Sequence, residues 1–291
     1  MLALALAAWP LIGAAQAPVP MADATLAHER LAQRELGGTR RSFAGPAGRP
    51  VELWMPARAR GDIDLVIHFH GAVWIAREAA ARLRDRRTVV AVVNLGAGSG
   101  AYGRPFADPA AFDSLLAGVA REVSAAAGRP ARIRRVTLAG FSAGYGAVRA
   151  ILREPRHFAT VGTVLLLDGL HTSYVPEGSG LAAGGALDTT NLVAFADFAR
   201  AAVRGEKRFV VTHSEIFPGA YASTTESADW LLGSLGLRRA PVPRWGPRGM
   251  QQLSEARAGG FEVLGFAGSS APDHIDHLHA IPEFLARALR R

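Results

Sequence analysis

The chain has 291 residues, 49% apolar and 20% charged, a balance that fits a packed globular domain and excludes wholesale disorder. It has no cysteine, which excludes a disulfide framework, a thiol nucleophile, a cysteine metal site and lipid attachment through a thiol. The formal charge is +8, and Lys207 is the only lysine among 33 basic residues, so the excess reads as an arginine-rich composition. Its clusters (Arg82, Arg84, Arg86 and Arg87; Arg132, Arg134 and Arg135) precede apolar runs without any nucleic-acid-binding motif, so no nucleic-acid partner is expected.

Residues 2–17, LALALAAWPLIGAAQA, are apolar and end in small residues, and Ala15-Gln16-Ala17 fits a signal-peptidase site. The run is too short, and too broken by Pro10, to span a bilayer. No basic residue precedes it, and Pro18 would follow the cut. The expectation is a signal peptide over 1–17 and a single domain over 18–291, secreted or periplasmic. No later stretch reaches the ~18 unbroken apolar residues of a transmembrane helix.

Strand and helix signals then alternate. Short apolar or β-branched runs at 51–55, 64–69, 88–94, 135–139, 160–167, 208–212 and 261–266 read as strands. Residues 76–86, 109–127, 144–153 and 281–290 read as helices, with Asp108 as N-cap and Pro109 in the first turn of the second. The glycine-rich stretch 96–103 reads as a loop, and residues 170–207 as a small cap-like insertion. Apolar strands alternating with helices predict a mostly parallel sheet covered on both faces.

The chemistry concentrates at Gly140-Phe141-Ser142-Ala143-Gly144, a G-x-S-x-G motif between an apolar strand and a helix. A sharp strand-to-helix turn there lifts the serine hydroxyl out of the sheet. Side chains at the two glycines would collide with neighbouring backbone, and the following helix N-terminus favours negative charge. His70-Gly71-Ala72 follows an earlier strand. The segment Asp273-His274-Ile275-Asp276-His277-Leu278-His279 follows the last strand, with His279 expected to open the closing helix. Asp168 ends the strand after the serine, where a carboxylate faces the crevice of an α/β sheet. Its plain alternative is a turn-capping aspartate before Gly169.

On GFSAG, the His70-Gly71 step and the order of elements over residues 50–291, the sequence resembles the α/β-hydrolase family, particularly its esterases and lipases. The resemblance implies a Ser-His-Asp triad with Ser142 as nucleophile. His274 is favoured over His277 as base, and Asp168 over Glu215 as acid, with Asp188 and Asp229 weaker. It also implies an oxyanion hole from the N–H groups of Ala143 and of Ala72 or Gly71, because HGAV stands here in place of HGGG. Gly71, Trp74 and Phe141 are the expected substrate contacts, Trp74 having packing as an equal alternative. The implied activity is carboxylic ester hydrolysis through an acyl-enzyme, without a metal or organic cofactor, on a small-molecule or polymeric ester.

Other readings stay open from the residues alone. A peptidase or acyltransferase could use the same serine, and a degenerate hydrolase fold could serve only binding. The histidine–aspartate cluster near residue 274 could bind metal if further ligands converged on it. His68 and His70, two apart on a strand, could pair as ligands, with a hydrogen-bonded structural role the stronger expectation. His171 and His213 have no assigned role.

Overall fold

The structure is a computed structural model that describes residues 35–57, 59, 61–83 and 87–290. The expected signal peptide, Arg84 and Arg86 lie outside the described residues.

In chain order the strands are β1 (Thr39–Ala44), β2 (Pro50–Met55), β3 (Asp62–Phe69), β4 (Thr88–Val93), β5 (Arg132–Phe141), β6 (Val161–Leu167), β7 (Tyr174–Val175), β8 (Ala186–Leu187), β9 (Arg208–His213), β10 (Ala240–Trp245), β11 (Gln251–Ala258) and β12 (Phe261–Phe266). The helices are α1 (Val73–Arg82), α2 (Ser99–Phe106), α3 (Pro109–Ala127), α4 (Tyr145–Leu152), α5 (Pro155–Thr160), α6 (Val193–Val203), α7 (Thr224–Ser234), α8 (Ala271–His279) and α9 (Ile281–Ala288). Ten strands form one sheet in the order β1-β2-β4-β3-β5-β6-β9-β12-β11-β10. The run from β4 to β12 is parallel, and two antiparallel strands close each edge.

Strand periodicity explains the two cores. Along β3, Ile63, Leu65, Ile67 and Phe69 enter one core, while Val66 faces the other. The same alternation splits β6 into Val164 and Leu166 against Leu165 and Leu167. Helices α2, α3, α4, α6 and α7 cover the first face; α1, α8 and α9 cover the second. Parallel strands buried on both faces need such continuous apolar runs, which made them visible in sequence. Asp108 caps α3 as expected, accepting from the Ala110 N–H at 2.9 Å.

The structure corrects three local expectations. Residues 99–103 of the expected glycine loop belong to α2, which runs on to Phe106 despite Gly100, Gly103 and Pro105. Small residues let α2 lie very close to α4, where a side chain at Gly146 would strike the Ser99 carbonyl. Tertiary packing here outweighs helix propensity. The histidine segment after β12 forms a helix of its own: Ser270 and Asp273 form a reciprocal capping box at the start of α8, and Pro272 sits in its first turn. His279 therefore ends α8 instead of opening the closing helix. Within 170–207, the β7–β8 hairpin and short helical turns occupy the first part, whereas Phe195 and Phe198 of α6 are buried in the sheet core.

Candidate active site

The C-terminal ends of the parallel strands bring the expected residues together. Ser142 follows β5 and opens a short 3-10 turn that runs into α4. Its φ of 48° is left-handed, a strained conformation for a residue with a side chain. A Cβ at Gly144 would overlap the Phe69 carbonyl oxygen, and one at Gly169 would overlap the Ser142 carbonyl oxygen. Only glycine lets β3 and the loop after β6 press this closely on the turn. Ser142 remains half-buried, and with Ala143 it lines a cleft of about 390 Å³ that Tyr145, His171, Asn191 and Tyr221 also border.

Asp168 follows β6 with φ 43° and is 4% exposed. Its Oδ2 lies 2.7 Å from His274 Nδ1, joining residues 106 positions apart. The Ser214 N–H donates to Oδ1 at 2.8 Å and the Ser214 hydroxyl to Oδ2 at 2.7 Å. Burial alone would raise this carboxyl's pKa. The neighbouring His277 and His274 rings and the Ser214 N–H more than reverse that, and hold it well below the ordinary carboxylate range. An ionised Asp168 can only accept, so His274 Nδ1 carries the shared proton and its Nε2 is left as a base.

The alternatives fall elsewhere. Glu215 is exposed one residue past Ser214. Asp188 caps a helical turn through the Thr190 N–H, and Asp229 pairs with Arg239 at 2.5 Å. His277 is buried with Nδ1 2.7 Å from the Thr212 hydroxyl, and burial lowers its pKa. His213 is buried too. Its Nδ1 must donate to the Ser214 carbonyl, 2.9 Å away, so its Nε2 accepts from Arg239 at 2.6 Å. Burial, then the Arg239 charge, takes its pKa to about 4. His171 donates from Nδ1 to the Ala222 carbonyl at 2.9 Å on the cleft wall.

The His70-Gly71 step is a left-handed turn, with φ of 70° and 115°. The Gly71 N–H donates to the Asn94 side chain at 3.0 Å, and the Asn94 amide returns a bond to the Gly71 carbonyl at 3.0 Å. The Gly71 N–H is thereby committed, and Ala72, the N-cap of α1, is the next donor in line. His70 Nδ1 is 2.8 Å from the Tyr102 hydroxyl, which accepts from the Leu95 N–H and so has its own proton to give. Burial and the nearby His274 lower the His70 pKa to about 4. His68 is buried deeper, and its pKa falls to about 3. No group of three or more metal-ligating side chains gathers among the described residues.

Phe141 requires a correction. It is 0% exposed, so it does not meet substrate. Its ring packs against His274 (centroids 4.6 Å apart) and stacks on His70 (6.0 Å). Trp74 is half-buried and packs into the core on the α1, α8 and α9 side, 6.4 Å from the His279 ring. Asn94 and Ser214 escaped the sequence reading. Each stands just past the end of a strand, the one signal that could have flagged them.

Two solved structures share this architecture. A bacterial heroin esterase aligns at TM-score 0.51 and 15% identity, over 93% of this chain and 89% of its own. The enterobactin esterase of Shigella flexneri aligns at TM-score 0.50 and 11% identity, over 88% of this chain and 60% of its own. At such identities the likeness is one of fold. No family model and no curated protein matches the chain. The protein has the α/β-hydrolase fold, with a mostly parallel central sheet and helices on both sides.

Proposed function

We propose that the protein is a serine hydrolase that cleaves carboxylic esters through an acyl-enzyme. The observation that carries this reading is the 2.7 Å contact between His274 Nδ1 and a buried, ionised Asp168, beside a serine on a strained turn. The Ser142 hydroxyl attacks the ester carbonyl and gives its proton to His274 Nε2. Asp168 fixes the tautomer and stabilises the imidazolium. The Ala72 and Ala143 N–H groups receive the oxyanion, each contributing about 3 kcal/mol by analogy with measured holes. His274 then protonates the leaving alcohol. Water, deprotonated by the same ring, releases the acid.

Both fold neighbours are named as esterases, in keeping with this chemistry. The apolar segment at 2–17 supports action outside the cytoplasm, secreted or periplasmic. The test is a panel of p-nitrophenyl esters of increasing chain length beside peptide anilides. Ester turnover that disappears in Ser142→Ala supports the proposal. Anilide turnover in preference to esters would indicate a peptidase, and no turnover with an unreactive Ser142 would indicate a binding protein.

A further inference from the structure

Arg149 takes no part in the proposed proton relay, yet it enters the same cleft. It stands seven residues after Ser142, and that separation rises about 10 Å along a helix axis. Helical side chains lean toward the N-terminus. The Arg149 guanidinium accordingly lies over the Tyr145 ring one turn back, 5.5 Å from its centroid. This puts it in the wall of the cleft that Ser142 and Ala143 line. Arg149 also lines an adjoining hollow of about 420 Å³ that carries Arg104 and Arg153.

The nearby acids are engaged elsewhere. Asp188 attracts Arg149 from a distance, but its carboxylate accepts from the Thr190 N–H, the Thr190 hydroxyl and the Asn191 amide. Glu154 pairs with Arg156 at 3.5 Å. Among the described residues no carboxylate forms an ion pair with Arg149. Burial lowers the guanidinium's pKa, but arginine stays charged at neutral pH. A half-buried cation whose contacts are an aromatic ring and a carboxylate engaged elsewhere gains from a ligand that supplies the anion.

We propose that Arg149 is a specificity residue that binds a carboxylate on the ester substrate, so the preferred substrates carry a negative charge within about 10 Å of the scissile carbonyl. The planar guanidinium suits a carboxylate, which it can hold by two parallel bonds. Ser99 and Asn191, whose side chains bond to the Tyr145 hydroxyl and to Asp188, line the same cleft with neutral polar groups. The inference rests on the ester-hydrolase reading and names its substrate class.

Two matched pairs test it. The mono-p-nitrophenyl ester of glutaric acid against p-nitrophenyl butyrate places the charge on the acyl arm. 4-Acetoxybenzoate against phenyl acetate places it on the leaving group. In one pair at least, kcat/KM should be ten-fold or more higher for the charged member, mainly through KM. Raising salt should shrink that ratio. The ratio should approach its chemical baseline in Arg149→Gln and be partly kept in Arg149→Lys. Because both esters meet one preparation, the ratio does not depend on the fraction folded. If neither pair shows the preference, or if it survives in Arg149→Gln, the inference is overturned while ester hydrolysis stands. Turnover of none of the four esters overturns both.

Discussion

The two ends of the parallel strands differ in kind. The C-terminal end holds three of the five non-glycine residues with positive φ among the described residues, His70, Ser142 and Asp168, together with buried histidines and a buried carboxylate. The N-terminal end holds the larger hollow, about 770 Å³, lined by Arg134, Arg135, Lys207 and Arg208 among others, with no histidine and none of those five residues. Lys207 there is spent on the carbonyls of Phe158, Ala159 and Val161. The proposed function sits with the smaller cleft, where strained backbone and buried histidines meet a buried carboxylate, each tolerated only where surrounding contacts hold it in place.

The strongest challenge to this contrast is Asp168→Asn. It keeps the side chain's shape but removes the charge that sets the His274 tautomer, so kcat should fall by about 10⁴. Steady-state ester kinetics measure this, and a loss below about ten-fold would place the acid elsewhere.

Next in size is the pH dependence of stability. Folding holds His70 and His213 at about 4 and His68 at about 3, against 6.5 for the free side chain. The unfolded chain then binds more protons below 6.5, so these groups favour folding fully above that pH and progressively less as pH falls toward 4. Each contributes a slope of up to about 1.4 kcal/mol per pH unit in that window. Asp168 acts at lower pH: its depressed carboxyl adds stability above the ordinary value of 3.8, which is lost on further acidification. The thermal midpoint should change little from pH 7.5 to about 6.5 and then drop down to pH 4.5; a flat or rising profile below 6.5 would mean these histidines are not held neutral.

The smallest effects sharpen the contrast from the other side. Glu215→Gln should leave kcat within about two-fold, because the carboxylate is exposed and Asp168 already engages His274. Arg134→Ala, at the rim of the larger hollow, should change activity by no more than that and stability by less than about 0.5 kcal/mol. A ten-fold loss from either would put function outside the cluster at the strand ends.

Much of this was legible in the chain, and the exceptions share a cause. GFSAG is readable because the turn it encodes is local: two glycines and a serine meet their constraint within five residues. The apolar strands are readable because burial on both faces demands unbroken runs. Asp168 is favoured over Glu215 in the sequence only by its place at a strand end, because the contacts that bear on the choice depend on where Ser214 and α8 fall across the sheet. The Gly71 or Ala72 ambiguity likewise awaited Asn94, which lies on a different strand end. Helix α2 was hidden because close packing against Gly146 stabilises it, not its own propensity. The α8 capping box is written in the sequence itself, as Ser270 and Asp273 three residues apart. Arg149 was one arginine among 32, and only the cleft distinguishes it.

The most direct test of the central claim is stoichiometric labelling with a fluorophosphonate, followed by peptide mass spectrometry. The account predicts one label per chain on Ser142, none in Ser142→Ala and much slower labelling in Asp168→Asn. A folded protein that takes no label, or takes it on another residue, would contradict the account.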